Sequence, residues 1–183
     1  GRHVDGNFAR TPSWSASAIP WTATAPPPHP MTIDEIQDVI KAHADVATNL
    51  VKAGLIGIEV QMAHGHLLKQ FMSPASNKRN DAYGGSEANR LRFAEEALRA
   101  VREAFGPEVV VGISVIGDEF LPGGLTIDDM CPIVPDIAAA AHIDFVNISH
   151  SSYHVSYTVS TQMADMSFPF ESFRFITQRL RTA

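Results

Sequence analysis

Residues 54–106 read GLIGIEVQMAHGHLLKQFMSPASNKRNDAYGGSEANRLRFAEEALRAVREAFG. The stretch holds a strand, a loop and a helix in that order. Residues 56–61 (IGIEVQ) alternate β-branched side chains with other types just after Gly54, which is strand patterning. Residues 68–85 carry Pro74, Asn77, Asn80, Asp81 and the pair Gly84-Gly85, and they read as a long loop. Ser86 then opens a helix whose apolar stripe is Leu91, Ala94, Ala97, Leu98, Val101 and Phe105, closed by Gly106.

The flanks repeat the alternation. Upstream, Thr32-Ile33-Asp34-Glu35 has capping-box spacing, and Ile36, Val39, Ile40, Ala44, Ala47, Leu50 and Val51 follow at helical intervals, so a helix is expected over 32–53. Downstream, residues 109–116 (VVVGISVI) and 143–149 (IDFVNIS) are two further strands. Between them Thr126-Ile127-Asp128-Asp129 caps a third helix that Pro132 and Pro135 should kink or shorten, and a fourth helix is expected over 169–181. Residues 1–31, with Pro12, Pro20 and Ala25-Pro26-Pro27-Pro28-His29-Pro30, read as an extended connector ahead of a folded unit over 32–183.

Strand-helix-strand connections of this length imply parallel strands with right-handed crossovers, so the fold class is α/β. A doubly wound sheet and part of a (β/α) barrel both fit. A complete eight-unit barrel takes about 250 residues, more than the 183 present. Alternate side chains point to opposite faces of a strand. Ile58 and Val60, then Val109, Val111, Ile113 and Val115, then Val146 and Ile148 make one aliphatic face; the other carries Glu59, Gln61, Gly112, Ser114, Asn147 and Ser149 and turns polar toward the C-terminal ends. In both architectures ligands bind at those ends, where Met62 to His66, Gly117 to Glu119 and His150 to His154 follow.

Lys and Arg number 14 against 20 Asp and Glu, a formal charge of −6, which argues against a nucleic-acid partner. With 45% hydrophobic and 19% charged residues the chain can bury a core. No apolar run approaches a membrane span and no basic segment precedes an apolar one, so a chain with no membrane partner and a cytoplasmic location is expected. The single cysteine, Cys131, excludes an internal disulfide or a multi-cysteine metal site within these residues.

The candidate chemistry gathers after the first of the three strands. His64-Gly65-His66 fits a metal pair completed by Asp118, Glu119, His150 or His154, a substrate-orienting or proton-donating pair, or loop histidines bonded to backbone carbonyls. Asp118-Glu119 is read as solvated or as a turn cap rather than an acid/base pair. Gly84-Gly85 and Gly123-Gly124 lack a phosphate-binding framework and read as turns. Tyr153 and Tyr157 can stack on a planar ligand or pack beneath a loop.

The run A-H-G-x-L-L-x-Q-F-x-S-P-x-x-N-x-R-x-D-x-Y-G-G-S followed by N-R-x-R-F, after a strand ending in E-V, closely resembles the third strand, loop and helix of the old yellow enzyme family, FMN-dependent barrel oxidoreductases that include 2,4-dienoyl-CoA reductase and trimethylamine dehydrogenase. Gly117-Asp118-Glu119 with Pro122-Gly123-Gly124-Leu125-Thr126, and Asp144-Phe145-Val146-Asn147, resemble the family's fourth and fifth units, and Gly1-Arg2 the end of its second-strand motif. The resemblance implies a partial (β/α)8 TIM barrel containing about strands three to five with their helices, with the main FMN phosphate anchor outside this chain.

By position, the resemblance implies that Gln61 and His64 bind substrate, with Tyr153 as a further substrate contact, that His64 and His66 are catalytic, and that Ser114 and Arg2 border the cofactor. Gln61 replaces the family's usual His or Tyr, His66 stands where many members carry a proton-donating tyrosine, and Ser114 where an arginine usually flanks the flavin. Ile56 and Glu87-Ala88 also replace the usual Asp and Leu-Glu. The implied cofactors are FMN and, as electron donor, NADH or NADPH, with no metal. The implied substrates are small molecules: enones, enoyl thioesters or N-methylated amines. Two other readings stand beside this one: a truncated or decayed half barrel that forms a homo-oligomer through exposed strand edges, and a metal-dependent hydrolase using His64 and His66.

Overall fold

The computed structural model describes residues 13–20, 25–152, 156–163 and 166–183. Its helices begin where local chemistry satisfies their first N–H groups. Helix α1 spans Ile33–Lys52, and the Thr32 hydroxyl accepts the Glu35 N–H while the Glu35 carboxylate accepts the Thr32 N–H, the reciprocal pair that the sequence spacing announced. Helix α3, Glu87–Phe105, is capped by Ser86, and helix α4, Ile127–Ala140, by a second reciprocal pair between Thr126 and Asp129. Pro132 and Pro135 lie inside α4 without ending it. Both are exposed, unlike Met130, Ile133, Val134 and Ile137 of the same helix.

The strands β3 (Gly57–Met62), β4 (Val110–Ile116) and β5 (Phe145–Ser149) form a parallel sheet in that order. Upstream, two-residue strands β1 (Trp14–Ser15) and β2 (His29–Pro30) pair in parallel. Ile58 sits beside Val111, Val60 beside Ile113 and Met62 beside Val115, while Ile113 and Val115 face Val146 and Ile148 on the far strand. This aliphatic face packs against Leu91, Ala94, Leu98 and Val101 of α3 and Met130, Ile133 and Ile137 of α4. On the opposite face the edge-strand residues Glu59, Gln61, Phe145 and Asn147 are exposed, while on the central strand the Phe145 ring lies over Gly112, and Ser114 and Ile116 are buried. Three in-order parallel strands with helices on one face and polar side chains on the other form a wall segment of a (β/α)8 barrel, seen from outside and inside respectively.

Three elements differ from expectation. Residues expected as loop include helix α2, Leu67–Met72, held because Leu68, Phe71 and Met72 are all buried. Six residues are too few for a helical period to stand out between His64-Gly65 and Pro74. Helix α5, Ser156–Gln162, was not expected, because its sequence SYTVSTQ is rich in β-branched and hydroxyl residues that favour other conformations. Helix α6 covers only Arg174–Arg181; turns fill the preceding segment, where Glu171 has φ of 62°.

Two side-chain networks fix the frame. At the N-terminal end of the sheet the Arg102 guanidinium donates to the carbonyls of Gly106, Val109 and His142 and to the Asp144 carboxylate, 2.6 Å away. Asp144 also accepts the Val111 N–H at 2.7 Å, and that bond, with Arg102, holds its carboxyl below the usual carboxylate range. Between α1 and α3, Tyr83 donates to Glu96 at 2.8 Å and accepts from Gln37 at 2.6 Å. Burial, then the neighbouring Glu96, push the Tyr83 phenol up to about 12.

Candidate functional site

β-strand alternation places Gln61 on β3, Ser114 on β4 and Asn147 on β5 in one row across the face away from the helices, with Gln61 and Ser114 in the C-terminal halves of their strands. Ser114 is the central member and is 6% exposed. The Gln61 amide oxygen accepts the Ala63 N–H at 3.0 Å, which leaves the amide NH2 as its donor end. Asn147 also donates to the Glu59 carboxylate at 3.2 Å, and the Phe145 ring lies over Gly112 between their strands.

Beyond β3 the chain turns sharply because His64 and Gly65 both take left-handed backbone angles, φ 54° and 76°. A non-glycine residue there costs about 1–2 kcal/mol; histidine is among the residues that tolerate it. The turn brings His64 into a parallel bridge with Ser152, beyond β5. Its ring is held at both nitrogens: Nε2 lies 3.0 Å from the Ser149 hydroxyl, and Nδ1 accepts from the Gln162 amide nitrogen of α5 at 2.9 Å. Burial pushes its pKa below the ordinary histidine value, with His66, His150 and Lys69 acting in the same direction and the Ser151 backbone opposing them. His66 is the N-cap of α2 and is exposed; its pKa is also lowered, chiefly by partial loss of water.

The structure thus brings Gln61, His64 and Ser114 to one end of one face, with His66 at the following turn. Arg2 and Tyr153 lie outside the described residues, as does His154. The other metal-ligand candidates are engaged elsewhere. Asp118 accepts the N–H groups of Phe120 and Ile127. The His150 ring stacks on Phe173, with centroids 4.1 Å apart, and donates to the Thr161 carbonyl. Among the described residues no three His, Cys, Asp or Glu side chains are placed to hold a metal ion.

Glu119 departs from its expected solvated or capping role. It is 0% exposed and forms an ion pair with Lys69 of α2, itself 2% exposed. The Ser73 hydroxyl donates to the same carboxylate at 2.6 Å, as does the Leu125 N–H. This cluster locks α2, which begins at His66, to the loop after β4. The signal in the sequence was a lysine flanked by apolar residues in LLKQF; its partner 50 positions away was not marked by any local pattern.

A profile of the NADH:flavin oxidoreductase / NADH oxidase family matches residues 6–176. The N,N-dimethylglycine/sarcosine dehydrogenase of Chromohalobacter salexigens is 43% identical over 140 residues, which are 76% of this chain and 20% of that protein. The NADPH dehydrogenase of Geobacillus thermodenitrificans is 40% identical over 133 residues, 73% of this chain and 38% of that one. Among solved structures, 2-naphthoyl-CoA reductase in complex with 2-naphthoyl-CoA superposes with a TM-score of 0.73 at 30% identity, covering 78% of this chain and 22% of the reductase chain. The chain therefore spans between a fifth and two fifths of the length of these proteins.

Proposed function

The chain belongs to the NADH:flavin oxidoreductase / NADH oxidase family, and from that premise we propose that it forms the substrate-side wall of an FMN-dependent oxidoreductase site that uses NADH or NADPH with an enone or enoyl thioester, or oxidises an N-methylated amine. The observation that carries the proposal is the row Gln61, Ser114 and Asn147 on the sheet face away from the helices, with His64 beyond it against Ser149.

The donor set fits the polar edge of a flavin ring: a hydroxyl and an amide side by side, in the row above the Phe145 ring that lies over Gly112. When bound, the flavin supplies hydride transfer. Ser114 would donate to the ring edge, and Gln61 and His64 would hold a polar group of the substrate over it. His66, exposed at the start of α2, would carry the exchangeable proton on its imidazole. N-methylated amines suit this set better than enones. Removing hydride from an amine requires no acid at the substrate carbon, and a histidine of lowered pKa is a poor reservoir for such a proton at neutral pH.

Ser114 gives the direct test. A guanidinium at this position adds a charge-assisted bond worth about 1.5–3 kcal/mol, so Ser114→Arg should tighten FMN binding to the purified chain by about tenfold to a hundredfold, read from quenching of flavin fluorescence. Ser114→Ala should weaken it. Equal affinity in all three proteins, or quenching in none, contradicts the placement of Ser114 at the flavin edge.

A further inference from the structure

Gln162 stands at the last turn of α5, 98 residues beyond His64, yet its amide nitrogen meets the His64 Nδ1 at 2.9 Å. An amide nitrogen only donates, so the ring nitrogen facing it accepts and carries no proton. The ring proton of the neutral imidazole then sits on Nε2, where the Ser149 hydroxyl lies at 3.0 Å. Ser149 closes β5 on the same face as Asn147. The protonated nitrogen is thereby turned toward the face that carries Gln61 and Ser114.

Helix α5 is well placed to hold this amide in position. Ser151 donates its hydroxyl to the Thr158 carbonyl, and Thr158 donates to the Ser152 carbonyl. Thr161 donates to the Ser151 hydroxyl at 2.9 Å, and the His150 ring donates to the Thr161 carbonyl at 2.9 Å. Ser151, Ser152 and Thr158 are fully buried. Helix α5 is thus pinned to residues 150–152 of the chain after β5, which end at the bridge between His64 and Ser152.

We propose that Gln162 is a positioning residue that sets the tautomer of His64, keeping the proton on Nε2 so that the ring acts as a neutral N–H donor toward an oxygen of the substrate. A substrate that carries a carboxylate or carbonyl oxygen at hydrogen-bonding distance displaces the Ser149 hydroxyl and takes the same N–H. An N-methylated amino acid has such an oxygen beside its amine; a simple alkylamine does not. Acid opposes the arrangement, because a second proton on Nδ1 would face the Gln162 NH2, donor against donor. Burial disfavours that proton, as do His66, His150 and Lys69, the charged or titratable groups around the ring among the described residues, while a hydrogen bond to the Ser151 backbone favours the charged ring.

The inference rests on the reading of His64 as a substrate-facing donor, but its test uses the flavin-free chain and so succeeds or fails independently of flavin binding. Ring 15N resonances of His64 in the 183-residue chain, recorded across pH 5–8, should show the Nε2–H tautomer. Gln162→Glu, which replaces the donor by an acceptor, should move the proton to Nδ1 and raise the pKa of His64. Gln162→Leu should give a mixture of tautomers. Thr161→Val, which removes one of the hydroxyl contacts that pin α5, should shift the tautomer ratio in the same direction as Gln162→Leu and by a smaller amount. An Nδ1–H tautomer in the unaltered chain, or spectra and pKa unchanged by both Gln162 substitutions, overturns the proposal.

Discussion

Replacing Lys69 by methionine should destabilise the chain by about 3–5 kcal/mol, because it leaves the Glu119 carboxylate buried without its cation. Neither side chain reaches water, so the charge cannot be hydrated without opening the α2 contact. The remaining donors, the Ser73 hydroxyl and the Leu125 N–H, are neutral and do not neutralise it. Adding Glu119→Gln should recover much of the loss, since glutamine keeps an acceptor for Ser73 and Leu125 and removes the stranded charge. Urea unfolding midpoints of the two variants measure both steps. If Lys69→Met unfolds at the same denaturant concentration as the parent, the ion pair does not hold α2 in place.

The second large effect concerns two neighbouring glycines that are needed for different reasons. A Cβ on Gly84 would lie 2.4 Å from the Arg79 Cβ, 2.7 Å from the Arg79 carbonyl oxygen and 2.8 Å from the Asn77 Oδ1. Two of these belong to the main chain or its first side-chain atom and cannot swing aside. Gly84→Ala therefore has to displace Arg79, whose guanidinium donates to the Ala16 and Met31 carbonyls and pairs with Asp81. Overpacking of this kind costs about 1–3 kcal/mol, and loss of the Arg79 contacts puts this variant at the upper end. Gly85 has φ of 80° with nothing closer than 3.9 Å to a Cβ, so Gly85→Ala should cost only the left-handed backbone penalty of about 1–2 kcal/mol. Thermal unfolding of the two variants should rank Gly84→Ala as the less stable; the reverse order contradicts the packing described around Arg79.

Features written in short sequence windows were legible in advance. The Thr32–Glu35 and Thr126–Asp129 caps depend on residues three apart, and both are found. The alternation in VVGISVI put Val111, Ile113 and Val115 on one side of β4, and all three join the apolar core; Gly112, Ser114 and Ile116 on the other side are buried too, which the alternation did not announce. The motif around His64 fixed the family. What escaped depends on residues far apart in the chain. The 50-residue separation hid Lys69 and Glu119, and the 98-residue separation hid Gln162 and His64. Helix α5 is stabilised by hydroxyl contacts with the loop after β5, a tertiary effect that its own propensities oppose. Helix α2 owes its form to the burial of Phe71 and Met72.

The central claim is that the C-terminal end of the sheet face away from the helices receives a flavin ring. Backbone amide NMR of the 15N-labelled chain, titrated separately with FMN and with riboflavin, tests it most directly. The expected result is perturbation centred on Gln61, His64 and Ser114, of similar size for both flavins because the proposed site meets the ring and not the phosphate, with Arg102 and Asp144 at the opposite end of the sheet unmoved. Spectra unchanged by either flavin at millimolar concentration, or shifts centred on Arg102 and Asp144, would contradict it.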